Sequence, residues 1–373
     1  MQVDDSVDWF NNYPQHEGSM IPIPDDGCFY VDGMLHDHLG SCEGYVLVDG
    51  GVVVETGRGE APERPACTGH IVMDVVNSHT HCADYGLTVP PGLTLEELVA
   101  PPDGLKHRHL RNASPDSLSA DMHRFSSDSE GFGTDIFVDF REGGVEGCRL
   151  LRASSDSAFV MGRPVSPVFD PEEVAEILSV AHGIGLSSIS DLDHGYVEAV
   201  ADMARDADAP FAIHVSERIR EDIDFVLSLD PAFIVHMCEA TDEDLLKCAE
   251  AEVPVVVCPG SNAYFGKEPP VARMMDLGVD VAIGTDNGML RVPDVFSEAR
   301  MLSDMLFRQG GDAGDAWKTL STLRGKLLYR LKQMNEEIPG GHVTVFPTGA
   351  VPAYGVPPLG NGRVFGRTNR EKR

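Results

Sequence analysis

Eight short apolar runs, separated by amphipathic stretches, constrain the fold of this chain more than any other feature. Short buried strands that alternate with helices are typical of parallel sheets, and eight such units predict an α/β fold, a closed (β/α)8 barrel. No GxGxxG turn follows an early run, which weakens the alternative of an open doubly wound sheet. The runs are HIVMDVVN (70–77), TDIFVDF (134–140), AFVMG (158–162), GLSSISD (185–191), PFAIHV (210–215), PAFIVHM (231–237), VPVVVCP (253–259) and VDVAIGTD (279–286).

Several stretches between these runs have the spacing of amphipathic helices. In PEEVAEILSVAHGIG, Pro171 is placed to begin a helix and Gly183 or Gly185 to end it. In TDEDLLKCAEAE, Thr241 is a candidate N-cap with Asp244 three residues later. The gap from residue 82 to residue 133 is too long for a simple connection, and it predicts a lid over the active face of the barrel.

Both ends of the chain have β character. GYVLVDGGVVVETG contains two β-rich runs around an Asp-Gly-Gly turn, which indicates a hairpin. GHVTVFPTGA and NGRVFGR near the other end also have the pattern of short strands. We therefore expect the two ends to pair into one small sheet.

Residues of the kind that bind metals end four of the eight runs. His79 and His81 end the first run and point to the same face of an extended chain, and His214, His236 and Asp286 end the fifth, sixth and eighth. A single histidine at a strand end is more often structural than a ligand, and an Asp in GTDNG is more often a turn or cap residue. Their joint occurrence at equivalent positions favours a metal site, because function collects at the C-terminal ends of barrel strands.

The motifs NSHTH, HVSE, IVHM, CPGSN and GTDN, in that order, resemble the amidohydrolase superfamily of metal-dependent hydrolases between residues 44 and 290. The chain is most similar to the branch with cytosine and guanine deaminases, adenosylhomocysteine deaminases and triazine hydrolases. The resemblance implies a (β/α)8 barrel over residues 67–335. It also implies a small β-sandwich built from residues 1–66 and 336–373.

The resemblance also bears on the number of metal ions. Two-metal members of the family bridge their ions with a carboxylated lysine at the end of the fourth strand, and GLSSISDLDHG contains no lysine. One divalent metal, Zn²⁺ or Fe²⁺, bound by His79, His81, His214 and Asp286 is the expectation.

The resemblance implies a hydrolase of non-peptide C–N bonds. Asp286 would accept a proton from the attacking water, and His236 would hold the hydroxide and the developing oxyanion. Glu217 would deliver a proton to a ring nitrogen or leaving group, although alone it could equally be a first-turn helix acid. The expected activity is deamination of a nucleobase-like N-heterocycle. The alternatives are a cyclic amide hydrolase similar to imidazolonepropionase, and an inactive barrel that serves as an interaction protein.

Substrate contacts are less constrained by the sequence. Lys106 and Arg108 of the lid and Arg141 after the second run could bind a carboxylate or phosphate, or could be salt-bridged loop residues. Ser261 and Asn262 could shape the pocket or cap a helix. Three further residues could either line the pocket or cap a loop: Asp191, Asp193 and His194. Cys82 has the character of a buried bystander.

The charge balance limits the partners of the protein. There are 60 acidic residues against 29 basic ones, and the formal net charge is −31. Such a field repels nucleic acid and anionic membranes. No run approaches the ~20 apolar residues of a membrane span, the N-terminus lacks a signal-peptide pattern, and the eight cysteines form no CxxC pair. We expect a cytoplasmic enzyme with a small-molecule substrate, with self-association left open.

Dispersed acids and scarce lysine also predict adaptation to high salt. Repulsion between surface carboxylates is screened over about 3 Å in 1 M salt and about 30 Å in 0.01 M salt. The free energy of unfolding, measured by urea titration, should therefore increase from 0.01 M to molar KCl. Equal stability at the two salt concentrations would contradict this prediction.

Overall fold

Strands occur in three blocks along the chain. The computed structural model describes residues 23–24, 26–99, 103–337, 341–348 and 362–367. The first block is β1 (Cys28–Asp37), β2 (Gly40–Asp49), β3 (Val52–Arg58) and β4 (Cys67–Met73). The second block is β5 (Val76–His81), β6 (Ile136–Arg141), β7 (Ala158–Gly162), β8 (Gly183–Leu186), β9 (Phe211–Val215), β10 (Phe233–His236), β11 (Val255–Val257), β12 (Val281–Ile283) and β13 (Asp286–Asn287). The third is β14 (His342–Pro347) and β15 (Arg363–Arg367).

The second block forms a ring of parallel strands. Its neighbours follow chain order from β5 to β12. β12 pairs with β11, whereas β13 pairs with β5 at the other end of the sheet, and only Gly284 and Thr285 separate β12 from β13. The eighth position is thus one interrupted strand that joins both ends of the sheet. The predicted barrel of eight parallel strand positions is confirmed.

Gly284 allows the interrupted strand to approach the first strand. A Cβ atom at position 284 would lie 2.7 Å from both the backbone nitrogen and the backbone oxygen of His79. Both atoms belong to the backbone of β5, so neither can move aside alone. The absence of a side chain at this position is what brings β5 and the eighth strand together.

Helices lie between the strands of the barrel, as the amphipathic stretches predict. Thr241 and Asp244 form the expected capping box of α8. The helices are α1 (Leu95–Val99), α2 (Leu105–Asn112), α3 (Pro115–Gly131), α4 (Gly144–Ser154), α5 (Pro171–Val180), α6 (His194–Asp206), α7 (Ile223–Ser228), α8 (Asp242–Glu250), α9 (Pro259–Tyr264), α10 (Val271–Asp276), α11 (Val295–Arg308), α12 (Ala316–Thr319) and α13 (Arg324–Gln333), with 3-10 turns at Cys82–Asp84 and Ala313–Asp315.

The fourth strand begins earlier than its apolar run predicts. Pro171 begins α5 as expected, but α5 ends at Val180, and the two candidate stop glycines lie inside β8. A Cβ atom at Gly183 would lie 2.3 Å from the carbonyl oxygen of Pro210, and one at Gly185 would lie 2.8 Å from the ring of Phe140. These glycines therefore serve close packing inside the barrel and do not end the helix.

One end of the barrel is closed by α13. Its residues Leu327 and Leu331, with Leu323 just before it, pack in the same buried cluster as the inward-facing residues of β5 to β12. Their spacing of four places them on one face of the helix. The candidate metal ligands lie at the opposite end of the barrel, at the C-terminal ends of the strands. They are His79, His81, His214 and Asp286.

The chain ends pair into one small sheet, as expected, but its shape differs from a β-sandwich. The strand order β1-β2-β3-β15-β14-β4 closes on itself as a six-stranded barrel. β4 pairs with β1 on one side and with β14 on the other, and β15 pairs with β3. The closed ring leaves no free edge, so these strands do not form two stacked layers.

The run at 70–77 divides between the two barrels. β4 ends at Met73, Asp74 has a positive φ of 59°, and β5 begins at Val76. Residues from 67 to 73, which the sequence division assigned to the large barrel, therefore pair within the small one. The outer limits of that division, at residues 1 and 373, lie outside the described residues.

The predicted lid contains three helices, α1, α2 and α3, which occupy most of the segment after β5. In α2, Lys106 is buried with 4% of its surface exposed. Among the described residues, no helix is both long and apolar enough to cross a membrane.

Gly284→Ala tests the closure of the barrel. The added methyl group must displace the backbone of β5, and overpacking of this kind costs about 1–3 kcal/mol. The free energy of unfolding in urea should fall by that amount, and the affinity for zinc should fall with it. Gly325→Ala is the control, because a Cβ atom there meets no atom within 4 Å. Unchanged stability and zinc affinity in Gly284→Ala would disprove the proposed role.

Candidate metal centre and pocket

Three imidazoles and one carboxylate converge at the C-terminal end of the barrel. His79 and His81 lie on β5, His214 on β9 and Asp286 on β13. The Nε2 atom of His79 lies 3.2 Å from Nε2 of His214 and 3.3 Å from Oδ1 of Asp286. Nε2 of His81 lies 3.6 Å from the same carboxylate oxygen. Four residues from three strands thus present one atom each to a common point.

The outer nitrogens of two of these rings determine which atoms face that point. Nδ1 of His214 lies 2.8 Å from the carbonyl oxygen of Leu186, and Nδ1 of His81 lies 3.1 Å from that of Phe140. A carbonyl oxygen only accepts, so each Nδ1 carries the hydrogen and each Nε2 presents a lone pair inward. Inward lone pairs beside a carboxylate fit a cation, and three histidines with one Asp suit zinc or ferrous iron.

Burial favours the neutral, metal-binding form of two of these imidazoles, His79 and His214. It lowers the pKa of His79 to about 4 and holds the pKa of His214 well below its usual range. Burial acts to raise the pKa of Asp286, but the contact with His79 prevails and holds it well below its usual value. His79 and His214 therefore offer neutral nitrogens, and Asp286 offers a charged oxygen, as metal binding requires.

Glu142, which the sequence reasoning missed, supports His81 from behind. Its Oε1 atom lies 2.9 Å from Nδ1 of His81 and 2.7 Å from Nζ of Lys106. Its Oε2 atom accepts a hydrogen bond of 2.9 Å from Arg141. Burial opposes ionisation of Glu142, but the charge of Lys106 leads the contributions that hold its pKa well below the usual range. The signal available in the sequence was an acid that directly follows the second strand.

His236 and Glu217 lie beside the metal-type residues. Nε2 of His236 is 3.7 Å from Oε2 of Glu217, and His236 forms with His79 and Asp286 a second group whose ligand atoms lie within 4.8 Å of one another. Burial, followed by the nearby charge of Asp286, raises the pKa of Glu217 to about 8. Burial lowers the pKa of His236 to about 4. A protonated acid and a neutral imidazole therefore face each other near neutral pH.

Backbone strain accompanies these residues. His236 and Asp286 have positive φ angles of 82° and 61°, in the region that favours glycine. Such conformations cost about 1–3 kcal/mol each and persist where the surroundings impose them. These backbone conformations place both side chains beside the other candidate metal ligands.

Ser261 and Asn262 hold these two residues, and they do not line the pocket. Oγ of Ser261 donates a hydrogen bond of 2.5 Å to Oδ2 of Asp286. Nδ2 of Asn262 lies 3.1 Å from Nδ1 of His236. Both are fully buried, and of the two alternatives that the sequence left open the structure shows neither directly: their side chains contact Asp286 and His236.

The three basic residues that could bind an anion or form salt bridges are placed differently. Arg108 is exposed and bonds to the carbonyl oxygen of Asp103, outside the pocket. Arg141 is 2% exposed and pairs with Glu142. Lys106 does line the pocket, but its charge is engaged by Glu142. The sequence could not separate these outcomes, because they depend on where Glu142 and the pocket lie relative to each side chain, which only the packing of distant segments determines.

The residues left open after the fourth strand also separate. Asp191 lines the pocket, Asp193 accepts a hydrogen bond from the backbone of Tyr196 as the N-cap of α6, and His194 stacks on Phe225. Cys82 is buried and its backbone N–H donates to Asp139, in agreement with a bystander.

The chain is similar in sequence to known proteins. The sequence model described as the amidohydrolase family matches residues 75–325. A relative from Methanothermobacter thermautotrophicus, provisionally named an aminohydrolase, is 33% identical over 282 residues, which cover 68% of this chain and 73% of the relative. The chain spans 66–73% of the length of the curated relatives it matches.

Solved structures share the fold. An adenosine deaminase from Xanthomonas campestris with bound zinc superposes with a TM-score of 0.66 and 19% identity, covering 92% of both chains. A guanine deaminase from C. acetobutylicum with bound guanine gives a TM-score of 0.61 and 14% identity, covering 86% of this chain and 91% of the other. At these identities the similarity establishes the architecture alone.

Glu142→Gln tests the support of His81. The amide cannot hold the Nδ1–H of His81 as a carboxylate does, and loss of such a partner typically lowers metal affinity about 10–100-fold. Competition with a zinc chelator of known affinity measures the change. Glu146→Gln is the control, because this glutamate is exposed on α4 and pairs with Arg149. Equal zinc affinity in Glu142→Gln and the unaltered protein would show that Glu142 has no such role.

Proposed function

The chain belongs to the amidohydrolase family, and from that premise we propose that it is a mononuclear, metal-dependent aminohydrolase of an N-heterocyclic small molecule. The observation that carries the proposal is the convergence of His79, His81, His214 and Asp286 at one end of the barrel. Glu217 and His236 lie on the pocket side of that cluster. The relative from Methanothermobacter thermautotrophicus, 33% identical and provisionally named an aminohydrolase, supports this class of reaction.

The four converging residues would hold the metal. When bound, zinc supplies a water whose pKa falls from 15.7 to about 7, so that a nucleophile is available at neutral pH. Ferrous iron would suit the same donors. A single ion is proposed because β8 (Gly183–Leu186) contains no lysine to bridge a second one.

Asp286 would accept the proton of the attacking water. Its Oδ1 atom faces the histidines, and its Oδ2 atom is held by Ser261. The hydrogen bond from Ser261 keeps the carboxylate in one orientation as the proton arrives.

Glu217 would donate a proton to the ring nitrogen. With a pKa near 8 it is protonated at neutral pH, and it lines the pocket. General acid catalysis of this kind contributes typically 10²–10⁴-fold to the rate.

His236 would stabilise the charge that develops on oxygen. A backbone N–H only donates, and that of Cys258 lies 3.4 Å from Oδ1 of Asn262. The amide NH₂ of Asn262 therefore faces Nδ1 of His236, which must accept, so the ring hydrogen is on Nε2. That hydrogen points into the pocket, where it can be donated to the oxyanion.

Glu217→Gln is the variant that tests the proposal. The purified protein should contain one zinc or iron per chain, and it should release ammonia from a member of a panel of purines, pyrimidines, pterins and their nucleosides. Glu217→Gln should retain the metal and lose about 10²–10⁴-fold in kcat, as expected for a general acid. Elemental analysis and an ammonia assay measure both quantities.

Glu239→Gln is the matched control, since Glu239 is partly exposed and pairs with Lys267. If the protein hydrolyses a cyclic amide and releases no ammonia, its reaction is ring opening and not deamination. A protein that takes up no metal on reconstitution would contradict the enzyme proposal as a whole.

A further inference from the structure

Arg163 is a cation in the pocket that lacks a carboxylate partner. It directly follows β7, and its side chain lines the pocket with His81, His214 and Asp286. One of its terminal nitrogens donates a hydrogen bond of 3.1 Å to Oγ of Ser187. Among the described residues, no carboxylate oxygen lies within 4.0 Å of its guanidinium nitrogens.

This situation is unusual in so acidic a chain, which has 60 acidic residues for 29 basic ones. The other basic side chains of the pocket do have acidic neighbours. Lys106 pairs with Glu142 at 2.7 Å, and Arg218 faces Glu96 at 4.0 Å on the exposed rim. The guanidinium group of Arg163 is thus left without a carboxylate partner among the described residues.

The surroundings of Arg163 add neutral hydrogen-bonding groups. Ser187, Ser188 and Ser190 follow β8 and line the same side of the pocket. Two acids, Asp191 and Glu221, line the pocket beside these serines, and Glu221 accepts hydrogen bonds from the backbone N–H groups of Ser190 and Ser216. Burial raises the pKa of Asp191, and the charge of Arg163 acts in the opposite direction from beyond ion-pair distance. At hydrogen-bond distance Arg163 thus meets the hydroxyl of Ser187 and no described carboxylate, an arrangement that fits an oxyanion.

The pocket as a whole also disfavours a neutral ring as the complete ligand. Of the described side chains that line it, only those of Val99 and Ile219 are apolar. Small-molecule sites are usually lined mainly by apolar and aromatic groups. A neutral heterocycle would cover the polar wall without meeting its donors, which costs binding free energy.

We propose that Arg163, with the hydroxyl of Ser187, binds an anionic group of the substrate, a carboxylate or a phosphate attached to the heterocycle. This inference rests on the proposed function for the heterocycle, and it assigns the charged part of the molecule to a residue that the sequence did not single out. The anion would lie on the β7–β8 side of the pocket, with the reacting carbon over the metal-type residues.

Substrate pairs that share a ring and differ in charge test the proposal. The pairs are adenosine and AMP, cytidine and CMP, and pterin and pterin-6-carboxylate, so the first two report on phosphate and the third on carboxylate. For the zinc-loaded protein, kcat/KM should be at least tenfold higher for the anionic member of one pair. In Arg163→Gln that ratio should fall at least tenfold, mainly through a higher KM, and Arg163→Lys should restore part of it.

Arg205→Gln is the control, because Arg205 is exposed on α6, pairs with Asp202 and does not line the pocket. Its ratio should equal that of the unaltered protein. Thermal denaturation of each variant checks that the fold is retained. An unaltered protein that prefers the neutral members, or an Arg163→Gln ratio equal to the original, would overturn the inference.

Calorimetry separates failure of this inference from failure of the proposed function. AMP, CMP and pterin-6-carboxylate are titrated into the zinc-loaded protein and into Arg163→Gln. Binding that weakens at least tenfold in Arg163→Gln without any release of ammonia would retain the anion site and reject deamination. Absence of binding by all three probes at millimolar concentration would reject the anion site.

Discussion

The pairing of β13 with β5 is the contact on which the site depends. It sets Asp286 opposite Thr80, between the two histidines of the first strand. Because Gly284 has no side chain, the eighth strand can approach the backbone of His79 closely enough for this pairing. The same contact therefore closes the barrel and brings Asp286 next to His79 and His81. A defect in either should appear in both the stability of the fold and the affinity for metal.

A layer of charges behind the histidines stabilises this arrangement. Glu142 orients His81, and two cations, Lys106 and Arg141, compensate the buried carboxylate. Lys106 comes from the lid, so the lid is attached to the metal-type residues by a buried ion pair. Truncating one member of such a pair is costly because it leaves the other charge buried and uncompensated. The basic residues used in this way are not available to a substrate, which leaves that role to Arg163.

The sequence predicted the strands of the small barrel but not its closed shape. The strand patterns at both ends of the chain were correct, and so was their association. Whether six strands stack as two layers or close into a ring depends on pairing across distant segments, such as β3 with β15. Strand patterns do not encode these pairings. In the same way, the run at 70–77 looked continuous because the backbone turn at Asp74 has no strong sequence signal.

By itself, the sequence determined the alternation of strands and helices, and with it the eight-position barrel, because hydrophobic periodicity is local. It also determined which histidines and which aspartate end the strands, since parallel strands bring those ends to one face. Only the tertiary structure decided the partners of each charge. Arg141 and Arg163 both lie at strand ends in the sequence, yet one neutralises Glu142 and the other faces the pocket. Side-chain direction and the position of the opposite charge depend on packing between segments far apart in the chain, and the order of residues does not specify them.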